Sequence, residues 1–222
     1  MSIQQLIDEE LAKKEPRVRS GKYSPSSFGR CYRLQYWNRK DEPKTNLPDE
    51  RTERVFKAGN LFHEFVQEII LQNQPTAEKE VLVEDDDFKG YADLVIGDEV
   101  TDIKSQHSGA FWYRDKKTWA EIEPQIKHHI LQVVFYAYKL SKLSARIIYI
   151  SKDDCCIQEY SFPTEKYLAE IEKEITDLKT IWAKQELPPA LPRAYGVDKK
   201  TGKPKDCNYC SWKDLCEKTE KK

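Results

Sequence analysis

The chain of 222 residues has room for one sizeable domain, or one domain with a small appended module. Its 37 Lys and Arg against 38 Asp and Glu give a net charge of −1, and taken as a total this argues against a generally basic nucleic-acid binder. A mean hydropathy of −0.78 without a long apolar run excludes a membrane-spanning helix. The N-terminus has no apolar export-signal core, so a cytoplasmic location is expected. Six cysteines are too few for a disulfide scaffold and are expected to be reduced thiols or metal ligands.

In chain order, Ile3, Leu6, Ile7 and Leu11 recur at helical spacing and predict a short amphipathic helix. Ser24-Pro25 has the form of an N-cap and first-turn proline, opening a helix through Trp37 with Cys31 near its middle. A Pro-containing linker, 41–49, leads to a longer helix over 51–72, with Val55, Phe62, Phe65, Val66, Ile69 and Ile70 mainly on one side. Strands are predicted over 79–84, 89–96 and 99–105, the last two joined by a Gly97-Asp98 turn. A helix over 124–142, a hairpin of 145–151 with 155–162, and a helix over 164–185 follow. The last helix carries Leu168, Ile171, Ile175, Leu178 and Trp182 on one stripe. Cys155 and Cys156 fall in a predicted strand and are expected to be structural. Pro188, Pro189 and Pro192 end the helical region before a cysteine-bearing tail. The order implies an α/β domain around a mixed sheet.

Charge is unevenly distributed. Residues 13–44 carry +7, residues 78–102 carry −8, and residues 193–222 carry +4. Basic flanks around an acidic centre suit a polyanion held beside a cation site.

The acidic segment contains the most informative pattern. With Gly97-Asp98 as the turn, Asp93 falls opposite Asp102 and Tyr91 opposite Lys104, and strand alternation puts Asp93, Asp102 and Lys104 on one face. Opposed carboxylates repel. A divalent cation with a preference for oxygen, Mg²⁺ or Mn²⁺, would offset that repulsion, and Lys104 would help position a water. His63 lies four residues after Gly59 on one helical face, where glycine permits close backbone approach and the imidazole is a candidate ligand. Gln132 and Tyr136, also four apart, present an amide and a phenol from the helix after the hairpin.

Together, Gly59-Asn60-Leu61-Phe62-His63, Gly90-Tyr91-Ala92-Asp93, Asp102-Ile103-Lys104 and Gln132-Val133-Val134-Phe135-Tyr136 resemble, in order, the four motifs of the RecB-like branch of the PD-(D/E)xK nucleases. Ala92 replaces the proline of the superfamily name, and Asp102 is the shorter permitted acid. Cys207-Asn208-Tyr209-Cys210, then Cys216, with Cys31 far upstream, resemble the iron–sulfur subgroup that includes the CRISPR-associated RecB-like exonucleases. Four thiolates by themselves suit zinc or an iron–sulfur cluster.

The resemblance implies a restriction-endonuclease-like core over 51–187, an N-terminal helical segment 1–50 that contributes one cysteine, and a C-terminal cluster segment 188–222. It implies a [4Fe–4S] cluster on Cys31, Cys207, Cys210 and Cys216, and Mn²⁺ or Mg²⁺ on His63, Asp93, Asp102 and the Ile103 carbonyl. Asp93, Asp102, Lys104, Gln132 and Tyr136 are then the catalytic set, and single-stranded DNA, cut from an end 5′ to 3′, is the implied substrate. The implied partners are a CRISPR integrase complex or a recombination or replication machinery, and no membrane. Trp112, Tyr113, Arg114, Lys116, Lys117 and Trp119 interleave aromatics with cations and are candidate DNA contacts. A non-catalytic binding module that keeps the fold, and a zinc-containing or restriction-type endonuclease, are the competing readings. A stretch imitating a nucleotide-binding loop, 196–204, has five residues between its glycines instead of four and Pro204 where Ser or Thr is needed.

Overall fold

The computed structural model describes residues 1–13, 20–192 and 204–220. Helix α1 (Ile3–Ala12) opens on a Ser2/Gln5 capping box, and Asp8 of this helix pairs with Arg54. The segment after Ser24 departs from expectation. A single 3₁₀ turn, Pro25–Ser27, is followed by a break at Gly29 (φ +72°), and α2 spans only Tyr32–Lys40, with Cys31 as its N-cap. The reason is tertiary. A Cβ on Gly29 would meet the His128 Cα at 3.0 Å, so the chain bends here to lie against the helix carrying His128.

Helix α3 (Glu50–Asn73) starts where the Asp49 side chain accepts from the Thr52 N–H. It buries a narrower stripe than expected. Val66 is buried with Phe62 and Ile70 packed beside it, while Val55, Phe65 and Ile69 are about half-exposed.

The strands β1 (Ala77–Glu84), β2 (Lys89–Ile96), β3 (Glu99–Gln106), β4 (Ser144–Ser151) and β5 (Ile157–Pro163) form one mixed sheet in sequential order. Only β3 and β4 run parallel, and that pairing needs a crossover. The connection carries α4 (Ser108–Asp115), α5 (Trp119–Ile122) and α6 (Lys127–Lys139). Helix α6 is apolar nearly all round, with Ile130, Val133, Val134, Phe135 and Ala137 fully buried. It lies between the sheet and α7 (Leu168–Lys184), whereas α3 covers the other face through Val66, Leu94, Ile103 and Ile150. None of the described helices is long and apolar enough to cross a membrane.

The N-terminal segment is stitched to β2. Tyr23 N–H donates to the Asp87 carbonyl at 2.7 Å and Lys89 N–H to the Tyr23 carbonyl at 3.0 Å, and Phe28, Phe88 and Phe135 stack edge to face or tilted behind it. The tail, α8 (Lys205–Asn208) and α9 (Lys213–Glu220), docks on α2. Trp212 is buried against Trp37 and Leu34 and donates to the Glu42 carbonyl, while Thr45 and Asn46 N–H both reach the Ser211 carbonyl. Cys155 and Cys156, expected in a strand, occupy the exposed turn before β5, with Cys155 at φ +58°. They are not core residues.

Candidate active site

The β2–β3 register is the one the turn predicts: Ile96 pairs with Glu99, Val95 with Val100 and Leu94 with Thr101. The ladder then stops, one residue short of Asp93. Continued, the register would next join Ile103 to Ala92. Instead Ile103 N–H donates to Asp93 Oδ2 at 2.7 Å, so a side chain stands where a main-chain rung would be.

Asp93 is skipped on its other side as well. Lys79 pairs with Leu94 and Val81 with Ala92, but Glu80, at φ +51°, makes no rung with Asp93. The Asp93 carbonyl left by that gap accepts from Gln67 Nε2 at 3.0 Å, and the same amide donates to Glu80 Oε1 at 2.8 Å. Ala92 packs into the α6 layer and Leu94 into the α3 layer, although two residues apart on a regular strand would share a face. Simple alternation therefore fails at Asp93, and the strand changes face there in the manner of a bulge.

Around this gap the predicted residues converge. Lys104 Nζ donates to Asp102 Oδ1 at 2.7 Å and to Gln132 Oε1 at 3.3 Å. His63 Nδ1 is 3.7 Å from Asp93 Oδ2. Asp102 is 2% exposed, and its Oδ2 is buried with no hydrogen-bond partner, which is costly for a carboxylate. Burial, offset in part by Lys104 and reinforced by Asp93, pushes the Asp102 carboxyl up to about 6. Burial raises Asp93 too. Burial and then the Lys104 charge hold His63 below its ordinary value, which leaves the imidazole neutral with a lone pair to offer.

Tyr136 serves the backbone. Its hydroxyl receives the Tyr91 N–H, and a Cβ on Gly90 would collide with that hydroxyl and meet Pro25 Cδ at 2.9 Å. Close approach was expected at Gly59, but there a Cβ would meet only Ser105 Oγ at an ordinary 3.5 Å. Of these two motif glycines, the one that packing requires is Gly90.

Among the described residues no three His, Cys, Asp or Glu side chains form a preformed metal-ligand group. The donor set nevertheless fits a hard divalent cation: an orphaned buried carboxylate oxygen, a second carboxylate and a neutral imidazole. Sequence reasoning missed Glu80 and Gln67. Gln67 lies four residues after His63 on the same helix face, a usable signal, but Glu80 is marked only by the ladder break.

A cleft of about 1020 Å³ opens beside Asp93, Gln132 and Tyr136. Its cations include Lys22, Arg30 and Lys44, all from the basic 13–44 segment, and Lys89. Trp112 to Trp119 lie elsewhere. Phe111 is buried, Arg114 sits over the Tyr149 ring at 3.8 Å, Lys117 over Tyr113 at 4.6 Å, and Trp119 packs on Tyr160 and Phe162. Trp112, Tyr113 and Lys116 keep exposed surface on or beside α4, and none of these residues lines the cleft.

Cys31, Cys207, Cys210 and Cys216 line one smaller cavity of about 280 Å³. Arg33 Nη1 donates to Cys216 Sγ at 3.3 Å. Burial, and then the neighbouring cysteines, push the Cys207 thiol up, and burial raises Cys210. The loop-like stretch at 196–203 lies outside the described residues.

No family model matches the chain, and comparison with the curated proteins finds no match. Solved structures do share its fold. The protein SSO0001 superposes with a TM-score of 0.55 at 20% identity, covering 96% of this chain and 93% of its own. A phage-related exonuclease from Haemophilus somnus gives 0.53 at 13% identity, covering 83% and 98%. The alkaline exonuclease of Laribacter hongkongensis aligns with a TM-score of only 0.45 at 15% identity, over 76% of this chain and 96% of its own, and carries no argument about the fold. The mixed five-stranded α/β architecture expected from the nuclease resemblance is the one observed, and it is shared with an exonuclease.

Proposed function

We propose that the chain is a metal-dependent DNA exonuclease acting on single-stranded DNA, 5′ to 3′, with a structural [4Fe–4S] cluster on Cys31, Cys207, Cys210 and Cys216. The observation that carries this reading is the orphaned Oδ2 of Asp102, beside Asp93, His63 and the Lys104 ammonium.

Mn²⁺ or Mg²⁺ would be held by His63, Asp93, Asp102 and the Ile103 carbonyl, and when bound supplies Lewis acidity toward a phosphoryl oxygen and a water. The protein's own residues do the rest. Gln132 holds Lys104, whose charge orients the attacking water and offsets negative charge developing on the phosphate. The Ile103 N–H fixes the Asp93 carboxylate, and Tyr136 fixes the backbone at Tyr91, two residues upstream. The two roles implied by the resemblance, CRISPR spacer acquisition and DNA recombination or repair, use the same end-processing chemistry and differ in partner. Trp112, Tyr113 and Lys116 remain candidate outer contacts for the strand.

The test is release of nucleotides from single-stranded DNA labelled at either end, by pure protein with Mn²⁺, with EDTA, and with Asp93→Ala. Metal-dependent shortening from the 5′ end, lost in EDTA and in the variant, supports the reading. Equal activity in EDTA or in Asp93→Ala contradicts it.

A further inference from the structure

The two cavities share a wall. The segment from Cys207 at the end of α8 to Trp212 carries Cys207 and Cys210 into the smaller cavity and presents Tyr209, Ser211 and Trp212 to the larger one, and Leu34 borders both. The two aromatic residues on this segment differ. Trp212 is 3% exposed and hydrogen-bonded to Glu42, a packing residue. Tyr209, between the two cysteines, is 78% exposed, an unusual position for a large aromatic ring that packing does not require.

Asp93, Glu80 and Gln132 line the same cleft, together with the cations Lys22, Arg30, Lys44 and Lys89, of which Lys22 and Lys89 pair with Glu84. An exposed ring and several cations lining one cleft is a composition that binds unpaired strands, with bases on the π-face and phosphates on the cations. Bases in a duplex are already stacked and cannot use the ring.

We propose that Tyr209 is a stacking platform for an unpaired base of the bound strand, so that the cysteine module forms part of the strand-binding surface. The inference rests on reading the cleft as a DNA-cutting site. It makes Tyr209 a contributor to single-strand affinity with no part in the chemistry at Asp93 and Lys104.

The test is binding of a fluorescent oligo-dT strand of about 15 nucleotides in EDTA, where no cutting occurs. Tyr209→Ala is expected to weaken binding at least about fivefold, the lower end of one base's stacking contribution. Tyr209→Trp is expected to retain binding, and a blunt duplex of equal length to be indifferent to the alanine change. Wild-type protein photocrosslinked to a 5-iododeoxyuridine strand is expected to yield an adduct at Tyr209, a readout independent of whether the alanine variant folds. Wild-type affinity in a folded Tyr209→Ala variant, or crosslinks that omit Tyr209, would overturn the proposal. Failure of wild-type protein to bind the strand at all would instead overturn the nuclease reading on which it rests.

Discussion

Asp93 Oδ2 accepts the Ile103 N–H at 2.7 Å, so a carboxylate replaces a rung between the two central antiparallel strands. The bond serves the fold and the site at once, because it opens the ladder beside Asp102 and aims Asp93 into the gap. Asp93→Asn retains an acceptor for that N–H but removes the charge. We predict that its melting temperature stays within a few degrees of wild type while nuclease activity falls by about 10³-fold or more, since an anionic oxygen ligand is lost. Thermal melts run beside activity assays check this, and substantial retained activity would mean the carboxylate is structural only.

Gly90 is held by its neighbours. Adding a methyl drives it into the Tyr136 hydroxyl and Pro25, so Gly90→Ala should cost about 1–3 kcal/mol, as overpacking does. Tyr136→Phe removes the colliding oxygen. The double variant should therefore be less destabilised than the sum of the two singles, as measured by denaturant titration of all four proteins. Strict additivity would show that the two residues do not press on each other.

Asp102 sets a pH dependence. Its folded value of about 6 lies above the ordinary aspartate value near 3.8, so the folded state binds the extra proton. For the metal-free protein this contribution favours folding below about pH 4 and is lost as the pH rises through about 6. Metal binding has the opposite sign, because the ion must displace that proton. Mn²⁺ affinity, measured by calorimetry, should be near its plateau at pH 7.5 and fall several-fold by pH 5.5. In Asp102→Asn the remaining weak binding should lose most of that dependence.

Cys210 lies within the four-thiol cavity, and the tail is also seated by Trp212 and the Ser211 carbonyl. Cys210→Ala is expected to lose iron and acid-labile sulfide, lower the melting temperature, and leave a chain that still folds. Wild-type protein purified without oxygen should contain both elements. A colourless protein holding zinc without iron would replace the cluster with a zinc site.

Most of the sheet could be read from the sequence because its signals are local. The Gly97-Asp98 turn, with Gly97 at φ +58°, set the hairpin register, and the periodic apolar residues of α7 marked that helix. What escaped was non-local. The break at Gly29 depends on His128, about 100 residues away. Glu80 enters the site only because two ladders fail around Asp93, and a residue-by-residue alternation rule carries through such a gap without detecting it. Helices α4 and α5 bury little beyond Phe111 and Ile122, so their mixture of aromatics and charges shows no period. The near-zero net charge hides the basic 13–44 segment, which the charge resolved along the chain does show; that its Lys22, Arg30 and Lys44 line the cleft needed the fold.

The most direct measurement for the proposed hydrolytic site is the rate of Mn²⁺-dependent nucleotide release from single-stranded DNA by Lys104→Ala beside wild type. Lys104 bridges Asp102 and Gln132 and is the one ammonium aimed at the carboxylate pair among the described residues. We predict a loss of about 10³-fold or more with the fold intact. A folded Lys104→Ala protein that releases nucleotides at the wild-type rate would contradict it.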